Sequence, residues 1–89
     1  MVRYSVYSKV ITVEDTAKAV EPVDIVLEDC NIHVQDNSIY YGNGDVQNAL
    51  ASVGSVISFK KLNLKYLFVK NETAGNNGKI VVVGTMEVR

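Results

Sequence analysis

The sequence has no tryptophan and only one cysteine, one proline and one histidine among its 89 residues. A lone Cys30 excludes an intrachain disulfide, so the fold does not rest on a disulfide frame. No apolar run approaches the roughly 20 residues of a membrane-spanning helix. Neither sign of charge is in excess: 9 basic residues face 10 acidic ones, a formal net charge of −1. That balance leaves no electrostatic footprint for DNA or RNA, and none for an anionic membrane surface. It also removes self-repulsion and permits close association with copies of the same chain or with another protein. The first residues alternate polar and apolar and lack the apolar core of a signal peptide. The chain therefore reads as made and used without Sec export. Asn71, Glu72 and Thr73 form a formal glycosylation sequon, which matters only on an export route.

What is present is hydrophobic: 47% of the residues, enough to argue against disorder. A chain this short makes one domain, residues 1–89, with a thin core. Small domains of this size often gain stability from an oligomer interface.

The dominant pattern has period two. Residues 2–13, VRYSVYSKVITV, put Val2, Tyr4, Val6 and Val10 on one face and Arg3, Ser5, Tyr7 and Lys9 on the other. This predicts a half-buried strand. Pro22 cannot donate to a ladder and belongs at a strand start or an edge. Further strands are predicted at Val23–Glu28, Ile32–Gln35, Ser38–Tyr41, Val56–Phe59, Leu62–Lys70 and from Lys79 through Val83 toward the end. Asp29–Asn31 reads as a turn. Residues 45–53, DVQNALASV, are the sole helix candidate, with Asp45 as cap and an apolar stripe of Val46, Ala49, Leu50 and Val53; the alternative is an irregular loop. Asn71–Gly78 reads as a polar loop, with its flanking strands forming a long hairpin. Seven to eight short strands separated by turn signals predict an all-β fold: a small antiparallel β-sandwich or a jelly-roll-like barrel.

The most unusual stretch is Asn37–Gln47, NSIYYGNGDVQ. Its Gly42-x-Gly44 lacks the third glycine and the downstream acid of a dinucleotide loop, and the Gly-Lys-Ser/Thr of a P-loop. Asn43 and Gly44 instead suit a tight turn that accepts positive φ. Alternation sends Tyr40 and Tyr41 to opposite faces, one into the core and one outward. An exposed Tyr41 beside a turn would contact a partner or a sugar, and with it Asn43 and Asp45, and Asn76 and Asn77 of the later loop, are the candidate contact residues. Cys30 and His33 lie three apart, but zinc needs three or four such ligands, and the chain offers no others. They are read as a small buried residue and a water-facing strand residue. His33 has no nucleophile to serve, so no catalytic residues, metal or cofactor are assigned. Lys60, Lys61, Lys65 and Lys70 read as a solvated strand face whose lysines discourage edge aggregation.

One longer order stands out. A strand at Val23–Glu28 is followed by SIYYG (Ser38–Gly42) with Val46 beyond it, then by GSVISF (Gly54–Phe59). LKYLFV (Leu64–Val69), a small-residue loop holding Ala74 and Gly75, and a β-rich end complete it. Over residues 23–83 this resembles small β-sandwich proteins of tailed phages and related viruses. Those carry a hydrophobic–tyrosine–hydrophobic–glycine strand, a Gly-x-Ser-hydrophobic strand and a Leu-Tyr-hydrophobic strand at similar spacing. They serve as head decoration, spike or fibre components. This chain departs from the pattern in lacking a Pro-Gly turn before Gly54 and in having Phe68 after Leu67, where those proteins often have alanine. The resemblance implies a non-enzymatic structural protein of the virion surface, assembled in the host cytoplasm. It would be trimeric and partnered by its own copies and by other virion proteins. The competing reading is a carbohydrate- or ligand-binding sandwich module, weakened by the missing tryptophan, since sugar platforms draw on large aromatic faces.

Overall fold

The computed structural model describes residues 3–88. Eight strands run β1 (Arg3–Val13), β2 (Lys18–Ala19), β3 (Val26–Gln35), β4 (Ile39–Gly42), β5 (Gln47–Ala51), β6 (Val56–Asn63), β7 (Phe68–Asn71) and β8 (Gly78–Val88), with one 3₁₀ turn at Leu64–Tyr66. They form two four-stranded sheets, ordered β1-β8-β3-β6 and β2-β7-β4-β5. The pairing is nested: β1 with β8, β2 with β7, β3 with β6, β4 with β5, all antiparallel. A single long hairpin, rolled so that its two arms share two sheets, gives this order; it is the jelly-roll arrangement. The apolar side chains between the sheets include Leu27, Ile32, Ile39, Leu64, Ile80 and Val82.

The first sheet is long, with strands of 8 to 11 residues, and the second is short. Gly84 lies on the inner face where β8 presses against β3. A Cβ there would run into the Asp29 carbonyl oxygen and come within 2.8 Å of Leu27 Cδ1.

Several expectations are corrected. Residues 45–53 are not helical: β5 occupies Gln47–Ala51 and pairs with β4 (Tyr40 opposite Leu50, Ile39 opposite Ala51). The helical stripe is instead largely exposed at Val46, Leu50 and Val53. Two helical turns carry a nucleation cost with little to offset it, whereas five extended residues complete the ladder on β4. Asp29–Asn31 is not a turn but the middle of a ten-residue β3. Alternation slips there, leaving Leu27 and Cys30 both inward, and the facing strand slips with it, with Lys61 at φ +52°. Val23 stands exposed ahead of the strand. The predicted strand Leu62–Lys70 is split, its first two residues closing β6 in one sheet and its last three in β7 of the other. Consequently β7 and β8 form no hairpin; the loop between them crosses from sheet to sheet.

The largest correction concerns β1. Its constant register against β8 places Tyr7, Lys9, Ile11 and Val13 toward the second sheet. The apolar side, Tyr4, Val6 and Val10, faces outward at 59%, 73% and 59% exposure. Val2, assigned to the same side, lies outside the described residues. Tyr7 decides the orientation: it packs against the core and its hydroxyl donates to the buried Glu21 carboxylate.

Candidate functional site

The turn that follows β4 is a self-contained structure. Asn43 Oδ1 accepts from the Asp45 and Val46 backbone N–H groups, both at 2.8 Å, and the Asn43 carbonyl accepts from Gln47 Nε2 at 2.7 Å. Asn43, not Asp45, is the capping side chain. Neither Asn43 nor Gly44 adopts positive φ. Gly42 is required by proximity, because a Cβ would strike the Val46 carbonyl at the register shift between β4 and β5.

Tyr41 is not the exposed contact residue. It packs against the core, edge-on to Phe59 with ring centroids 6.1 Å apart. Tyr40 takes the other face, where Lys70 Nζ lies 6.0 Å from its ring centroid. The remaining candidates are not brought together. Ile39 pairs with Asn71 at one end of β4 and Gly42 pairs with Phe68 at the other. The Asn43–Asp45 turn and the Asn76–Asn77 loop therefore sit at opposite ends of the second sheet. Asn77 is occupied: its Oδ1 accepts from Asn71 Nδ2 and its carbonyl from Asn37 Nδ2, both at 2.9 Å. Asn76 lines a small hollow of about 160 Å³ with Ser38 and Thr73. Asn71, the sequon asparagine, is 6% exposed. Its Nδ2 donates to Asp15 and Asn77, and its Oδ1 accepts from Gly78 N–H, so the folded chain does not present it to a glycosyl donor.

Cys30 and His33 point to opposite faces of β3, Cys30 inward and His33 outward. Burial pushes the Cys30 thiol up to about 11, away from nucleophilic character. The lysines disperse as well: Lys60 pairs with Asp29 at 3.4 Å and Lys70 turns to Tyr40.

The feature that sequence reasoning placed inside out is the outer face of the first sheet. Cross-strand registers set its rows: Val6, Thr85, Asp29 and Lys60; Ser8, Val83, Asn31 and Ser58; Val10, Val81, His33 and Val56. Tyr4 closes one end, above an open hollow of about 680 Å³ that also touches Glu28, Lys61 and Thr85. Asn31 and Ser58 hydrogen-bond to each other at 2.6 Å in the middle. The result is a face of valines interleaved with small polar residues on β1, β8, β3 and β6, bounded by an ion pair at each end, Lys60–Asp29 and Lys79–Asp36. Nothing covers it among the described residues. Beneath β1, Glu21 accepts from the Tyr7 hydroxyl (2.5 Å) and from Lys9 Nζ (3.0 Å). The hydroxyl bond, helped by the Lys9 ammonium and opposed by burial, holds the Glu21 carboxyl below its ordinary range. Burial, then the bond to Glu21, pushes the Tyr7 phenol far above its usual value.

No family model, curated protein or solved structure matches this chain.

Proposed function

We propose that this is a structural protein that acts by association through the outer face of its first sheet. The observation that carries the reading is the outward display of Tyr4, Val6 and Val10, beside Val81, Val83 and Val56. A strand that turns a tyrosine and two valines to water, while Tyr7 and Lys9 of its other side are held inward on a buried carboxylate, is built to have those outward apolar side chains covered. The near-neutral charge agrees, since close approach of copies meets little repulsion. The jelly-roll arrangement is one that viral capsid domains use, as do lectins and cupins. By fold analogy alone it is compatible with the virion-surface role that the resemblance suggests. That role, in a capsid decoration, spike or fibre-associated component, is the specific form of the proposal.

The test is the solution mass of the protein by light scattering, beside a Val6→Lys/Val10→Lys variant. Wild type is expected to be a closed oligomer. The variant is expected to be a monomer with an unchanged β-type circular dichroism spectrum, because both positions are exposed within the protomer. A monomeric wild type across a wide concentration range sinks the proposal.

A further inference from the structure

We infer that two copies join by antiparallel pairing of their β1 strands about a two-fold axis at Ser8, making one continuous eight-stranded sheet. The inference rests on the association reading above and names a second copy as the partner; it adds a contact at the open edge of the same sheet, distinct from the covering of the outer face. β1 is an edge strand, and among the described residues β8 is its only ladder partner. It is eleven residues long, without proline, and has a single lysine. Natural edges of this length are ordinarily blunted by short strands, bulges, prolines or standing charges. Here there is no register shift along β1, and Lys9 is drawn to Glu21. What remains open is a row of backbone N–H and C=O groups whose complement is another extended strand.

The strand is its own best complement in the register that pairs its whole length. Facing residues must lie on the same side of the sheet, so outward Tyr4, Val6, Ser8, Val10 and Thr12 have to meet each other. An axis at Ser8 pairs Val6 with Val10 and Tyr4 with Thr12, each twice, and uses all eleven residues. Inward, it sets Lys9 opposite Tyr7 and Arg3 opposite Val13, so no like charges meet. An axis at Lys9 opposes two lysines, and one at Val6 opposes Arg3 to Lys9; both are disfavoured. An axis at Tyr7 sets Val6 against Ser8 and so breaks the valine–valine pairing. Pairing at Ser8 also joins the two outer apolar faces into one surface spanning both copies.

Facing Cα atoms in an antiparallel pair are about 4.5–5.5 Å apart, within disulfide range. The test is therefore Ser8→Cys, oxidised with diamide in the full-length protein. The control is Ser58→Cys, on the same face but on the opposite edge strand. Wild type retains only the buried Cys30 and reports background. The expected result is a dimeric wild-type mass, a covalent dimer of Ser8→Cys in most molecules, and little from Ser58→Cys. An oligomer in which Ser8→Cys does not cross-link, or in which Ser58→Cys cross-links as well, overturns the pairing and leaves association standing. A trimeric mass does the same, since isologous β1 pairs do not close a trimer. A monomer overturns both.

Discussion

Among the described residues Glu21 is the one carboxylate buried beneath β1, and its neighbours explain why it is tolerated. A phenol and an ammonium both donate to it, so the buried charge is hydrogen-bonded rather than bare. Its folded-state pKa lies below the unfolded one. The stabilisation is therefore full at neutral pH and is lost as pH falls through the folded value. Asp15 behaves alike, depressed chiefly by the Asn71 side chain and then by the Gly75 N–H. Thermal melts from pH 7 downward are expected to fall. In Glu21→Gln the fall is expected to be shallower, from a lower neutral-pH starting point, with the Asp15 part retained. The cost at pH 7 should be about 2 kcal/mol, the scale of hydrogen bonds to a charged group. A variant melting like wild type at every pH would show that the contact carries no stability. Glu21 is absent from the sequence reading for a plain reason: period-two patterning shows which side chains share a face, not which distant residue meets them. The same limit placed β1 inside out, because Tyr7 and Lys9 look polar until Glu21 is set opposite them.

Among the elements, the all-β class and most strand positions are legible from alternation alone. β4 and β8 fall where the pattern puts them. The differences have a common cause: a local signal does not contain the strand that pairs with it. Asp29–Asn31 resembles a turn by composition, yet β6 and β8 on either side hold it extended. The candidate contact loops failed similarly, since only the β4 registers separate Asn43 and Asp45 from Asn76 and Asn77. The element that sequence treated as a polar loop, Asn71–Gly78, is in fact a tie. Asn71 links it to Asp15 of the β1–β2 connection and closes back on Gly78, the first residue of β8. Asn71→Ala would leave the Gly78 N–H buried and unpaired, so a loss of about 2–3 kcal/mol is expected in denaturant unfolding. The Asp15 carboxyl should move up toward its ordinary range, readable by NMR titration. An unchanged Asp15 would mean that the Gly75 N–H alone sets it.

At the scale of the whole molecule the protein is a slab, 46 × 25 × 17 Å, with a long sheet backed by a shorter one. Nested pairing has a kinetic meaning as well. Among the described residues, β1 finds its only ladder partner in β8, with the other six strands between them in sequence. Loops of that length must close before β1 gains any stability, so the fold has few local contacts to nucleate on. Refolding is expected in the slow range of two-state domains, roughly milliseconds to seconds, in stopped-flow dilution from denaturant. Microsecond refolding would mean that β1 docks before β8 is in place. During translation the consequence is sharper: a strand bearing tyrosine and valines on one side is made before the other seven and waits, unpaired, for β8 to emerge. For that interval β1 offers a chaperone an extended, apolar segment to grip.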